Sequence, residues 1–360
     1  MLTIRARAPR RTAALLCLGI LCALAACGSG ASGKGGKPSN PTATATVSAP
    51  TVSKPLVTYN GHGEAVVSVA WSPDGKKIAS AGDDATVQVW DAATGKNIWT
   101  YTVPCSCKLD YQWAVAWSPD GSKVASGGYN GTISILDGAT GKKTGGFDTS
   151  SSFIEGIAWS PDGKKLAVGD IDKEVQVWDV TTLKKLLAYT HHTAAVSRVA
   201  WSPDGKKIAS ASADGTTQVW DATTGVMLLT NSSQGVPVWS VAWSPDGSKI
   251  TTGTGAAGGD YPIPAKNSAI VWDATTGKTL LTYLGHGDKG NVRALAFSPD
   301  GTKIASGADD NTARVWDATT GKTLLIYKGH SDLVWSVAWS PDGTKIASAS
   351  QDGTVQVWMA

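Results

Sequence analysis

From residue 66 onward, short runs of alternating apolar and small or polar residues follow one another, each broken by a turn signal. The first set reads Val66–Trp71, then Lys77-Ile78-Ala79-Ser80, then Val87-Gln88-Val89-Trp90, then Asn97-Ile98-Trp99-Thr100-Tyr101. A period of two over four to six residues is the signature of a pleated strand with one face turned inward. Between the runs stand Pro73-Asp74-Gly75, Asp83-Asp84-Ala85-Thr86 and Ala93-Thr94-Gly95. In the first of these, Pro presets φ and Gly accepts a positive φ, as a tight turn requires. No stretch beyond residue 55 sustains a helical period, so the pattern predicts an all-β chain.

The pattern repeats. Ser-Pro-Asp-Gly occurs seven times, with its proline at Pro73, Pro119, Pro161, Pro203, Pro245, Pro299 and Pro341; most intervals are 42 residues, the first is 46 and the fifth is 54. Such a period suits a unit of four strands. Trp-Asp closes the third strand at Trp90-Asp91, Trp178-Asp179, Trp220-Asp221, Trp272-Asp273 and Trp316-Asp317, and Gly-His precedes the repeat at Gly61-His62, Gly285-His286 and Gly329-His330. Over residues 55–360 this resembles the WD-repeat family, with departures at Leu136-Asp137, at Trp358-Met359 and where the Gly-His pair is missing. The resemblance implies a single seven-bladed β-propeller of four-stranded antiparallel blades. The chain reaches Ala360 just after the third strand of the seventh unit, whereas Lys54-Pro55-Leu56-Val57-Thr58-Tyr59 reads like Lys278-Thr279-Leu280-Leu281-Thr282-Tyr283. The N-terminal strand is therefore expected to complete the last blade and close the ring, removing an exposed sheet edge.

Composition changes the picture at the N-terminus. The formal charge is +3, but Arg5, Arg7, Arg10 and Arg11 lie in a segment, residues 1–27, that has no acidic residue; the remainder holds 28 basic and 29 acidic residues. A near-neutral body lacks the cationic surplus that nucleic acid demands, so no nucleic-acid partner is expected. A basic start followed by the short apolar run 13–26 reads as a signal peptide. It ends in Leu24-Ala25-Ala26-Cys27, which resembles the bacterial lipobox. That resemblance implies cleavage after residue 26 and lipidation of Cys27, placing the protein outside the cytoplasm and lipid-anchored to the cell membrane, its only link to a membrane. Residues 27–54 are rich in Gly, Ser, Thr and Pro and are expected to form a flexible tether. Cys105 and Cys107 are open between a local disulfide and two idle thiols; with no partner ligands nearby, no metal site is expected.

Ser, His and Asp recur together as His62, Ser80, Asp84 with Trp90; His192, Ser210, Asp214 with Trp220; His286, Ser306, Asp310 with Trp316; and His330, Ser348, Asp352 with Trp358. A hydrolase triad uses these residue types. The family resemblance instead implies four buried hydrogen-bonded tetrads stitching their blades, and the chain is read as non-catalytic and free of cofactors. A quinoprotein-like reading of the Asp91–Trp99 turn ranks behind it, because Leu281 and Leu325 replace Trp99 in other units.

Trp bookkeeping isolates a surplus. Two repeat-wide positions account for most tryptophans, leaving Trp99, Trp113, Trp239 and Trp335; the last three lie six residues before the turn proline. The other units place Val67, Glu155, Ser197 and Arg293 there. With Tyr111, Phe153 and Leu333 two residues earlier, this register predicts a partner-binding rim at the channel mouth, opposite the Pro-Asp-Gly turns. Longer loops at Cys105–Asp110 and Gly255–Lys266 open on that side, whereas Lys76-Lys77, Lys164-Lys165 and Lys206-Lys207 solvate the other face. A protein or peptide is the expected partner of a monomeric propeller, with a carbohydrate or small ligand as the alternative.

Overall fold

The computed structural model describes residues 48–104, 111–233, 235–256, 267–288 and 290–360. The lipobox with Cys27, the tether up to residue 47, Cys105 and Cys107, and most of the second long loop lie outside the described residues.

Seven antiparallel sheets form the body, six of four strands and one of five. Blade one runs Val66–Trp71, Lys77–Gly82, Thr86–Asp91 and Asn97–Thr102, each strand pairing with the next. The later blades repeat that order, and their first strands touch one another in a closed cycle in which Val334–Trp339 of blade seven meets Val66–Trp71 of blade one. Val57–Tyr59 pairs antiparallel with Val355–Met359, with Tyr59 opposite Val355, so the N-terminal strand does supply the fourth strand of blade seven. One pairing was not foreseen. Thr51–Val52, within the stretch expected as tether, adds in parallel to Ile326 and Tyr327 on the outer edge of blade six.

The core is divided into seven slices, each shared by two neighbouring blades, and the slice holding Tyr59, Val66, Trp71, Trp90, Val355 and Val357 closes the ring. In five blades the tryptophan before Ser-Pro reaches across a slice. Trp71 donates its indole N–H to Ala338 O at 3.1 Å, and Trp159, Trp201, Trp243 and Trp339 donate equivalently to the preceding blade. Trp99 packs on the turn glycine of the next blade, Gly141, and donates to Gly138 O at 3.3 Å. Leu187, Leu229 and Leu281 sit against Gly225, Gly277 and Gly321 in the same way. The contact that suggested a quinoprotein is thus a general blade-to-blade packing position that leucine also fills. The turn glycines Gly95, Gly141, Gly225, Gly277 and Gly321 all have φ near +70°, where a Cβ would be strained as well as crowded.

Candidate functional site

The structure brings each Ser–His–Asp–Trp set together. In blade one, His62 Nε2 lies 2.8 Å from Ser80 Oγ, His62 Nδ1 lies 2.9 Å from Asp84 Oδ2, and Trp90 donates to Ser80 Oγ at 3.2 Å. Blades four, six and seven repeat this with His–Ser distances of 2.7–2.8 Å. An ionised aspartate only accepts, so Nδ1 donates to it, Nε2 accepts the serine hydroxyl, and that hydroxyl accepts the indole N–H. Burial alone would raise these aspartates, but the histidine hydrogen bond, its charge, a Thr hydroxyl and a backbone N–H outweigh it; Asp352 is held at about 2, and Asp84, Asp214 and Asp310 are also lowered. Burial depresses His286, which favours its neutral form. All four serines are wholly buried. A nucleophile needs a lone pair facing substrate, whereas here the hydroxyl is sealed and bonded on both sides. The network extends between blades: Tyr59, Tyr189, Tyr283 and Tyr327 of the preceding outer strands stack on Trp90, Trp220, Trp316 and Trp358 with centroids 4.5–4.7 Å apart.

Blades two, three and five lack the histidine, and their polar groups are arranged otherwise. In blade three Ser151 Oγ donates to Asp172 at 2.7 Å and Trp178 donates to Gln176 at 2.9 Å, with Phe147 stacked on Trp178. Asp170, at the end of the second strand of this blade, is wholly buried. One of its oxygens accepts Glu174 N–H, the other has no partner, and burial raises its carboxyl to about 6.

At the other candidate site, the predicted rim has a cause that the sequence did not reveal. Every first strand carries a β-bulge, and the extra residue is Val67, Trp113, Glu155, Ser197, Trp239, Arg293 or Trp335. A bulge leaves its extra residue unpaired and re-aims the side chain, here at the channel mouth. Five of the predicted residues join in a ladder. Arg293 lies over the rings of Trp239 and Trp335 at 4.7 and 5.0 Å, Trp335 meets Trp113 at 5.7 Å, and Trp113 meets Phe153 edge-on at 4.9 Å. All five are half-buried. The ladder spans blades five, six, seven, two and three and passes over the small, buried Val67 of blade one.

A second register fixes these rings. The residue ten positions after each turn proline opens the neighbouring turn on the same face. Trp113 donates to Asp83 of blade one at 3.1 Å, Trp239 to Gly255 O at 2.8 Å, and Trp335 to Gln351 at 2.9 Å. Arg293 forms a fork with Asp309, both bonds at 2.8 Å, and Tyr129 lies 6.1 Å from Phe153 and 6.4 Å from Tyr111. Every indole N–H of the ladder is thereby occupied and ring faces are what remains to offer. Asp83, Gln351, Asp309 and Tyr129 were missed, although their fixed offset from the proline was legible.

Glu155 does not join this surface. It is buried at the junction of blades three and four, where burial raises its carboxyl to about 7 against the pull of Arg198. Gly156 makes the junction tight, since a Cβ there would stand 2.9 Å from Arg198 Cα. Arg198, also missed, sits one residue deeper than the rim and donates to Glu155 O and Ser197 O at 2.6 and 2.9 Å. Leu333 and Tyr111 are half-buried at the rim. Among the described residues, no three His, Cys, Asp or Glu side chains are grouped as a metal would need.

Comparison with known proteins agrees with this architecture. Residues 226–261, 277–317 and 321–359 match the model of the WD domain, G-beta repeat. The chain carries WD repeats. Residues 66–239 match the second beta-propeller of echinoderm microtubule-associated protein. Among relatives, vegetative incompatibility protein HET-E-1 of Podospora anserina is 53% identical over 38 residues, which is 11% of this chain and 3% of that protein. Ribosome biogenesis protein erb1 of Neurospora crassa is 45% identical over 51 residues, covering 14% of this chain and 6% of its own length. The Notchless protein homolog of Arabidopsis thaliana is 49% identical over 43 residues, covering 12% and 9%. The match spans less than a tenth of each of these proteins.

Proposed function

We propose that this WD-repeat propeller is a non-catalytic scaffold that captures a protein or peptide on the Trp-rich rim. The ladder of Trp239, Arg293, Trp335, Trp113 and Phe153 carries the reading, because aromatic faces pre-set around a guanidinium supply contact area at little cost in side-chain entropy. The occupied indole N–H groups favour an apolar or aromatic anchor from the partner over a sugar, whose hydroxyls need unspent donors and acceptors. In the test, the immobilised chain captures proteins from a membrane-surface extract, and Trp239→Ala and Trp335→Ala are compared with Lys206→Ala, an exposed residue on the opposite face. The rim variants should lose at least tenfold in capture while remaining folded, and the control should lose nothing. Unfolding of the rim variants, or an equal loss in the control, refutes a binding rim.

Display at the membrane is the second part of the proposal, supported by Leu24-Ala25-Ala26-Cys27. Acyl chains on Cys27 would hold the propeller outside the cytoplasm at the end of a Gly/Ser/Thr/Pro tether. Cys27→Ser should release the protein from the membrane fraction or block its processing. A mature variant of unchanged size that stays with membranes rules this out.

A further inference from the structure

The outer strands of the blades are not equally protected. In six blades a lysine opens the fourth strand: Lys96, Lys142, Lys184, Lys278, Lys322 and, on the N-terminal strand of blade seven, Lys54. Blade four has Val226 there, followed by Met227 and Leu228, and no charged residue occurs from 222 to 245. These three residues are 58%, 47% and 49% exposed, the one run of three consecutive exposed large apolar residues among those described. Leu186 of blade three and Leu280 of blade five are each about half exposed on their own outer strands, but as single residues behind an opening lysine. Edge lysines oppose pairing because docking would strip their water. Blade six, besides Lys322, is covered by the added strand Thr51–Val52. Blade four keeps a bulge at Leu228, where Val219 and Trp220 face Leu229 and Met227, but has no lysine there and, among the described residues, no added strand.

We propose that the blade-four edge is a self-association surface on which a second copy of this chain docks across a two-fold axis near Met227. Charge selects this occupant. A two-fold contact sets the patch against itself, and at blade four it buries Val226, Met227 and Leu228 of both copies within a stretch that carries no charged side chain, whereas the same contact at other blades would trap the lysine of the edge itself. The contact lies on the flank, so the rim of each copy stays open, and the inference stands apart from the rim proposal. It departs from the expectation of a monomer.

The test is the mass of the full chain by sedimentation equilibrium in matched detergent, from 1 to 100 µM. Val226→Lys restores the residue that five other blades carry at this turn, so the fold tolerates it; Val226→Lys with Met227→Lys is the stronger form. The natural chain should associate to twice its mass, and the double variant should weaken association at least tenfold. A natural chain that stays at single mass to 100 µM, or a dimer that the lysines leave intact, overturns the proposal.

Discussion

Blades one, four, six and seven are built around a closed polar chain, whereas blades two, three and five are not. Of the described buried side-chain atoms without a partner, Trp117 Nε1 and Ser126 Oγ fall in blade two, Asp170 Oδ2 in blade three, and Thr251 Oγ1 and Trp272 Nε1 in blade five; Ser197 Oγ alone falls in a tetrad blade, and it sits at the rim rather than in the tetrad. Ser126 occupies the tetrad-serine register and Trp272 the tetrad-tryptophan register, so deleting the histidine leaves its neighbours stranded. A buried polar group without a partner costs about 1–3 kcal/mol. The same repeat therefore yields blades with closed and with open polar networks, and the two long loops belong to blades two and five, where the network is open.

The largest effect should come from ring closure. Deleting residues 54–60 removes Tyr59, which stacks on Trp90, and uncovers the edge of blade seven. The loss should reach at least about 3–5 kcal/mol, the cost of one large buried aromatic, with aggregation. An unchanged melting temperature and a monodisperse product would show that the closure carries no stability.

Next in size is His192→Leu, which takes one hydrogen-bond partner from Ser210 and one from Asp214 together. About 3 kcal/mol should be lost, as when a buried ionic partner is removed, and chemical denaturation measures it. A smaller loss than from a blade-three change such as Ser151→Ala would erase the contrast between the two kinds of blade.

The contrast should also be reversible. Ser212 and Ser350 occupy the register of Asp170 and donate to Ala194 O and Asp332 O at 3.0 and 3.1 Å. Asp170→Ser should gain about 1 kcal/mol at pH 7 by replacing a half-satisfied carboxylate with a satisfied hydroxyl. The pH dependence follows from sign. Asp170 and Glu155 are raised when folded, to about 6 and about 7, so their contribution is full below the unfolded carboxylate value of about 4 and is lost as pH climbs through 6 and 7. The tetrad aspartates are lowered, so their contribution is present above about 4 and is lost as pH falls towards 2. Asp170→Ser should therefore flatten the decline between about pH 4 and 6, leaving the part up to 7 that Glu155 carries and the acid limb of the tetrads. A variant whose profile runs parallel to the parent's would show that Asp170 does not titrate in that range.

The blade count, turns, closing strand and tetrad membership were legible because each is written seven or four times at fixed offsets from a proline. Three features were not. The bulge that aims Trp113, Trp239 and Trp335 depends on cross-strand register, which single-strand alternation does not encode. Glu155 was placed on the rim by offset alone, although Gly156 draws blade four close enough to bury it. Thr51–Val52 pairs with a strand some 275 residues away, and two residues in a Thr/Pro/Ser stretch carry no signal for that.

That the Ser–His–Asp sets hold blades together and perform no chemistry is tested most directly by unfolding Ser348→Ala beside Ser126→Ala, with turnover of an activated ester measured on the same samples. Ser348 accepts from Trp358 and meets His330, so its loss should cost about 1–3 kcal/mol, whereas Ser126, already without a partner, should cost less than about 1 kcal/mol. Ester turnover should be absent throughout. A Ser348→Ala chain that keeps its full stability but loses a measurable esterase activity would contradict the account.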